Sequence, residues 1–403
     1  MKNKKLIVVG GGAAGFFCAI RAKENYPELE VVLLEKQNKV LQKVKVSGGG
    51  RCNVTHAIES IPHLLEHYPR GKNFLKKVFY QFGSEETIEW FAKNGVKLHT
   101  ESDGRMFPIT NSSQTIIDCL LGAAKKLGVQ VKLGSAVSKV QLKEQTFTVT
   151  VNSQELKADS ICVACGGYPK STQFDWLRNL EHNIIDPVPS LFTFNIKSNK
   201  DLKDLMGVSL EKAHIRIQST KANNIGPLLI THWGLSGPCV LKLSAWQARF
   251  LHDMGYEFSI LVNWINETEN DLRARWNELR NGMGAQLFSR NPFELPKRLW
   301  LYLINQAGIP ENKKWSELAS KEQNKLLSIL VGQHFEVKGK TTFKEEFVTC
   351  GGVDLKEVNP KTMESRLVPN LYFAGEVLNI DGVTGGFNFQ NAWSTAAVAA
   401  QLA

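Results

Sequence analysis

The sequence contains no apolar stretch that reaches the ~18 residues a membrane-crossing helix needs. It has no internal repeat and no low-complexity linker. Its cysteines, Cys18, Cys52, Cys119, Cys162, Cys165, Cys239 and Cys350, are odd in number and scattered, mostly inside apolar runs. That usage excludes a disulfide framework and suits a reducing compartment, so the chain is expected to be cytoplasmic. No second cysteine pair matches Cys162-x-x-Cys165, so no metal is expected. No basic run is interleaved with aromatics, and the densest cluster is only "RGKNFLKK" at 70–77. The net charge of +10 therefore reads as a generally basic surface, and nucleic acid is not an expected partner. The start "MKNKKLIVVGGGAAGFFCAI" imitates a signal peptide. Glycines interrupt its apolar run, however, and no polar cleavage region follows, so export is not expected.

What is present is the composition of a soluble globular enzyme, with 43% hydrophobic and 22% charged residues in 403. The length implies two or three domains, and a core of that size needs no disulfides. The most organised signal opens the chain. Leu6–Val9 is a short continuous apolar run, as in a buried parallel strand. Gly10-x-Gly12-x-x-Gly15 follows, then a helical stretch to about Glu24, then the apolar run Val31–Leu34, which ends on Glu35. Gly10 allows a tight turn, Gly12 lets backbone approach a pyrophosphate, and Gly15 lets helix and strand pack closely. The helix N-terminus offers free N–H groups to phosphate, and Glu35 can accept both ribose hydroxyls. The full strand–turn–helix–strand–acid frame predicts an adenine dinucleotide with an unphosphorylated ribose, FAD or NAD.

Two further segments favour FAD. "VSGGGRCNVTH" at 46–56 places Gly48, Gly49 and Gly50 beside Arg51, Cys52 and Asn53. Three glycines let the main chain lie against a flavin, Lys36, Lys45 and Arg51 can offset diphosphate charge, and Asn53 can bond a flavin carbonyl. Near the C-terminus, the apolar strand Leu371–Ala374 leads through Gly375-Glu376 and Gly385-Gly386 into a small-residue helix. Ligands of doubly wound folds sit at strand carboxyl ends. A helix N-terminus there would stabilise negative charge on a reduced flavin. "ICVACGGYP" reads as a buried strand turning at Cys165-Gly166-Gly167, with Cys162 and Cys165 as small apolar fillers rather than a redox dithiol.

Between these segments the pattern changes. After "DPVPS" come alternating strand-like runs, "LFTFNIKS", "KAHIRIQS", "PLLITHW" and "EFSILVNWI". From Glu267 to His334 the pattern is helical, and "KTTFKEEFVTCGGVDL" returns to strand. "NGMGAQ" at 281–286 lacks a preceding strand and a third glycine in register, so it is no second nucleotide fold. Any NAD(P)H must then use the flavin face or a non-standard surface. "THWGLSGP" at 231–238 holds His232 and Trp233 at a strand end. They read first as a docking turn or substrate wall, with His232 a weak candidate proton donor. Cys52, beside Arg51, is a weak nucleophile candidate.

Taken together, "GGGAAG", "SGGGRCNVTH", "GRMFP", "THWGLSGP", "VTCGGV" and "LYFAGEVLNIDGVTGGFNFQNAW" resemble the BaiN-like family of NAD(P)/FAD-dependent oxidoreductases. That group includes bile-acid-type enone reductases and proteins described as aminoacetone oxidases. The resemblance spans nearly the whole chain. It implies an α/β fold with a Rossmann-like FAD domain of the two-dinucleotide-binding type (1–188 and 343–403). The FAD domain is interrupted by an inserted β-rich domain (189–266 and 335–342) and a small helical domain (267–334). It also implies FAD contacts at Gly12, Ala14, Glu35, Lys36, Ser47, Gly48, Arg51, Cys52, Asn53, Gly375, Glu376, Asp381, Gly386, Phe387 and Asn388. From the residues themselves Gly10, Gly15, Gly49, Gly50 and Gly166 join this set. Asn379 stands where the family often has Asp, and Phe387 and Phe389 stand where it has Tyr and Leu, which bears on the substrate pocket. The leading expectation is NAD(P)H-linked reduction of an activated C=C bond in a small organic molecule. Oxidation of a small amine by oxygen and a non-catalytic flavin-binding, partner-docking role are the alternatives.

Overall fold

The apolar run at the start of the chain becomes the centre of a five-stranded parallel sheet. The strand order is Leu371–Phe373, Ser160–Val163, Lys5–Val9, Glu30–Leu34, Gln130–Lys132. Val9 pairs with Val163 on one side and Leu34 on the other. Leu6, Ile7 and Val8 are fully buried, which is why the run is continuous and not alternating. The computed structural model describes residues 4–197, 200–281, 285–341 and 348–402. Residues 282–284 of "NGMGAQ", and 342–347 with the expected boundary at 343, lie outside the described residues.

The chain forms two compact units, Met1–Ser190 with Phe343–Ala403, and Leu191–Thr342. In the first, the helix Ala13–Asn25 packs on the C-terminal helix Phe387–Ala399, with the Phe17 and Trp393 rings 5.3 Å apart. Every residue from Gln390 to Ala399 is buried, and its alanines allow close helix contact. A three-stranded meander, Val137–Lys143, Thr146–Val151 and Gln154–Ala158, precedes the Ser160–Val163 strand. An antiparallel ladder joins Ile184–Ser190 to Val348–Val353. The expected α/β Rossmann-like fold with a β-rich insertion is what the structure contains.

The second unit is a closed six-stranded barrel of Thr193–Ile196, Gly234–Ser236, Asn223–Ile230, Ser209–Ile217, Glu257–Asn263 and Gln333–Thr341. The helices Glu269–Asn281, Lys297–Ala307 and Ser320–Gly332 share one apolar core with it, through Trp264, Trp276, Trp300 and Trp315. The indole N–H groups of Trp264 and Trp300 donate to Gln333 and to the Leu287 carbonyl, so these two are satisfied, whereas the buried Trp276 N–H has no partner among the described residues. Among the described residues no helix is long and apolar enough to cross a membrane.

Candidate cofactor and active site

The first glycine turn lies at the carboxyl end of the central strand. Gly10 adopts φ +116, and a Cβ there would strike the Ala164 carbonyl. A Cβ on Gly15 would strike the Gly10 carbonyl. Gly12, which precedes the helix as its N-cap, has nothing within 4 Å of its Cβ position. The helix N-terminus, the place for an anion, is thus open. Ala14 packs against Gly375, where a Cβ would come within 2.8 Å of the alanine methyl. Glu35 accepts from the Gly11 N–H at 2.7 Å and the Gln37 N–H at 2.8 Å, which fixes its carboxylate beside the turn. A cavity of about 60 Å³ adjoins it, lined by Gly10, Glu35, Lys36, Val137, Tyr168 and Trp176. The Lys36 ammonium sits over the Tyr168 ring at 5.0 Å. Val137, Tyr168 and Trp176 were not marked by the sequence, because they come from the meander, from the loop directly after Gly167 and from the short helix Asp175–Arg178.

The second glycine turn is backbone geometry. A helix beginning at Gln42 breaks at Ser47 (ψ 148), and Gly48, Gly49 and Gly50 follow with φ of +57, +68 and +84. Only glycine adopts three such angles in succession without strain. A Cβ on Gly48 would press on the Asn53 N–H and the Phe107 ring at 3.0 Å, whereas on Gly49 or Gly50 it would meet nothing within 4 Å. Arg51 pairs with Glu101 at 2.6 Å and lies over Phe107 at 4.0 Å. Arg105 reaches the same glutamate at 2.7 Å. Arg51, expected with Lys36 and Lys45 to offset diphosphate charge, is therefore one member of an ion network.

Cys52 also has positive φ (+60) and is fully buried, its N–H bonded to the Ser47 carbonyl at 3.0 Å. Burial pushes its thiol up to about 12, against a smaller lowering by the Ser47 side chain. A thiol held neutral in this way is not set up as a nucleophile. Cys162 is fully buried in its strand, and its thiol is pushed well up by the neighbouring Cys18 and by burial. Burial raises Cys165 to about 11.

The third element is the loop before the C-terminal helix. Asn388 clamps it at both ends, accepting from Gly382 N–H at 2.9 Å and donating to Gly382 C=O at 2.8 Å. The Asn53 amide, oriented to satisfy both ends, accepts from Gly386 N–H at 3.0 Å and donates to the Thr55 carbonyl at 2.9 Å. Both side chains, expected from sequence as FAD contacts, thus brace backbone. Thr55 donates to Gln390 at 2.5 Å, and the Trp393 indole donates to the Val54 carbonyl at 3.0 Å. These bonds tie the Gly48–Gly50 turn to the C-terminal helix. Gly386, the helix N-cap, has φ +92 and would drive a Cβ into the Thr55 carbonyl at 2.7 Å.

Glu376 bonds Lys43 at 2.7 Å and the Thr349 N–H at 3.0 Å, close to Gly166 and Gly167. Asp381 is wholly buried, and its carboxylate is engaged by Arg70 and Ser190. Burial pushes that carboxyl up, and Arg70 and Ser190 pull it back. Two histidines absent from the expected set stand here. The His67 ring stacks on Phe387 (4.1 Å, 9°), and the His56 ring lies 4.9 Å from Phe387 with Nδ1 3.0 Å from the Gly385 carbonyl oxygen. His56 closes the quoted glycine motif, so its position was on view, whereas nothing in the sequence marks His67. His232 belongs to the second unit, exposed in the Thr231–Gly234 turn and edge-on to Trp233 at 5.2 Å.

The structure thus assembles, in one unit, an open helix N-terminus, an acid beside it, and an open glycine backbone joined to a second helix N-terminus. Gly10, Gly12, Ala14, Gly15, Glu35 and Lys36 could hold the nucleotide half of FAD, and Ser47–Gly50 with Gly386 and Phe387 the flavin half.

Comparison with known proteins places this arrangement. The model of the HI0933-like protein Rossmann domain matches residues 4–402. The chain belongs to the HI0933-like family. With that membership it is an enzyme, an FAD-dependent oxidoreductase. It is 31% identical to the ribosomal RNA dihydrouridine synthase of Escherichia coli, over 100% of this chain and 98% of the relative. It is 30% identical to the protein of the same name from Haemophilus influenzae, over 97% and 96%. It is 29% identical to the 3-dehydro-bile acid delta(4,6)-reductase of Clostridium scindens, over 98% of each. Among solved structures, the 3-ketosteroid delta1-dehydrogenase of Sterolibacterium denitrificans shares the fold, with a TM-score of 0.52 at 12% identity over 99% of each chain.

Proposed function

We propose that this enzyme uses NAD(P)H to reduce a carbon–carbon double bond conjugated to a carbonyl, and that its substrate is a uracil ring in RNA. The observation that carries the reading is the pair of full-length relatives named ribosomal RNA dihydrouridine synthase. A dihydrouridine is a uridine with its carbonyl-conjugated double bond saturated, and the bile-acid relative is named for a reduction of the same class. The net charge of +10 supports a polyanionic substrate. The absence of a basic, aromatic-interleaved run counts little against RNA, because a folded surface can gather such groups from separate segments.

When bound, FAD supplies two-electron hydride chemistry. Glu35 would take the ribose, and the open N-terminus at Gly12 the pyrophosphate. Gly48–Gly50 would let main chain lie along the flavin. The N-terminus of the Phe387–Ala399 helix favours negative charge in front of it. Saturating the double bond also requires a proton. His56 and His67, set against Phe387, are the side chains this reading assigns to deliver it.

The test is anaerobic incubation of the FAD-loaded protein with NADPH or NADH and unmodified ribosomal RNA, followed by nucleoside mass spectrometry. Donor-dependent dihydrouridine is expected. Turnover of a small enone with no dihydrouridine in RNA would overturn the substrate, and failure to reduce any conjugated double bond would overturn the reaction.

A further inference from the structure

The second unit carries 20 Lys and Arg against 14 Asp and Glu. One part of its surface combines that charge with exposed rings. The helix Pro238–Trp246 passes at Gln247 (φ −102, ψ 14) into the helix Ala248–Asp253. Leu243, Ser244, Ala245, Ala248 and Leu251 are buried. Trp246, at the end of the first helix, Phe250, in the second, and Met254, its C-cap, are 47%, 40% and 40% exposed and recur at every fourth position across the break. Lys242 continues the row one step earlier, and Arg249 adjoins Phe250. The acid of these two helices, Asp253, lies at the far end beside His252, 3.4 Å away.

A second segment completes the surface. The turn between the strands Ser209–Ile217 and Asn223–Ile230 brings Thr220, Lys221 and Ala222 opposite Gln247 and Phe250, around a cleft of about 370 Å³. That volume lies in the ~300–1,000 Å³ range of small-ligand clefts. Lys221 is exposed at its rim. Lys242, Trp246, Arg249 and Phe250 come from one stretch of nine residues that the sequence reading passed over, and folding sets Lys221 of the turn beside it.

We propose that this ridge docks single-stranded RNA, with unpaired bases stacking on Trp246 and Phe250 and phosphates taken by Lys221, Lys242 and Arg249. The proposal rests on the reading that the substrate is RNA and adds where the second unit grips it. Charge complementarity chooses the occupant. A second copy of this basic chain would set like charges against Lys221, Lys242 and Arg249, whereas every nucleotide offers both a π-face and an anion.

The test uses the FAD-loaded full chain and a fluorescein-labelled oligouridylate followed by anisotropy. Trp246→Ala with Phe250→Ala is expected to weaken binding roughly 10–100-fold. Lys221→Glu with Lys242→Glu is expected to weaken it and to flatten the dependence of log affinity on log salt by about 0.7 per lost contact. Flavin reduction by NADPH without RNA should stay unchanged in both. If the aromatic pair alone also slows that step, the charge pair decides. Wild-type RNA binding by both variants, in an enzyme that makes dihydrouridine, would overturn the ridge and leave the uridine reading standing. A wild-type protein that neither binds the oligonucleotide nor forms dihydrouridine would remove both. A change in molar mass by light scattering with RNA binding intact would assign the ridge to self-association.

Discussion

At Gly10 and Gly15 an added methyl would run into main-chain carbonyls, whereas at Gly49 and Gly50 it would meet nothing within 4 Å. The two turns belong to the same unit and use the same residue. In the first, glycine is required by what the protein packs there, and only Gly12 faces open space. In the second, glycine is required by backbone angles of +68 and +84, and the space in front is clear. Sequence alone ranks these glycines together as motif positions. The structure separates those that build the fold from those that leave room for a ligand, and that separation can be tested by substitution.

The largest effect is expected at Gly15. In Gly15→Ala the methyl would have to displace the Gly10 carbonyl, which is held in the turn by its own backbone. Overpacking against main chain should cost about 3 kcal/mol or more. Soluble yield should collapse, or Tm should fall by roughly 6–12 °C. A Gly15→Ala protein with wild-type Tm would mean that the helix and turn can separate freely.

Gly12→Val comes next and should behave oppositely. Its Cβ meets nothing and its φ of −91 is open to any residue, so folding should survive. The branched side chain would occupy the helix N-terminus, so the purified protein should be colourless and take up no FAD. A yellow Gly12→Val protein would mean that the pyrophosphate lies elsewhere. Glu35→Ala should follow, weakening FAD by one to two decades, because a hydrogen bond to a charged acceptor contributes about 1.5–3 kcal/mol. It also orphans the Gly11 and Gln37 N–H groups, so a small fall in apo-protein Tm is expected beside it. Titration of apo-protein with FAD reads the first effect and calorimetry the second.

The contrast also shows what was legible. The first turn could be read because its strand, helix and acid lie within one short stretch and each has a local signature. The strands Lys5–Val9, Glu30–Leu34, Ser160–Val163 and Leu371–Phe373 were legible as apolar runs, whereas the edge strand Gln130–Lys132 is exposed throughout and carries no such signal. The braces were not legible. Asn53 to Gly386, Thr55 to Gln390 and Asp381 to Arg70 and Ser190 join residues far apart in the chain. A polar side chain in sequence does not show whether its partner will be a ligand or a distant backbone. Asn388 shows the consequence, since it was read as a ligand group and the bonds it makes within the chain are to both backbone groups of Gly382. The barrel was legible as strands but not as a closed ring, because the closing strand is only Gly234–Ser236.

The smallest effect sharpens the comparison most. Gly49→Val and Gly49→Asn place a side chain into the same clear space, but they differ in what the backbone tolerates. A left-handed angle costs an ordinary L-residue about 1–2 kcal/mol, more for a branched one, whereas asparagine visits it readily. If the second turn serves only its own geometry, Asn at 49 should leave both stability and FAD affinity near wild type. If the clear space is where main chain meets the flavin, Asn at 49 should keep apo-protein stability yet weaken FAD by roughly tenfold, about 1.4 kcal/mol. Val at 49 should lose both. We expect the second pattern, read by apo-protein calorimetry alongside FAD titration of the two variants. Wild-type FAD affinity in Gly49→Asn would reduce "VSGGGRCNVTH" to a turn that braces the C-terminal helix through Asn53 and Thr55, with the flavin held from elsewhere.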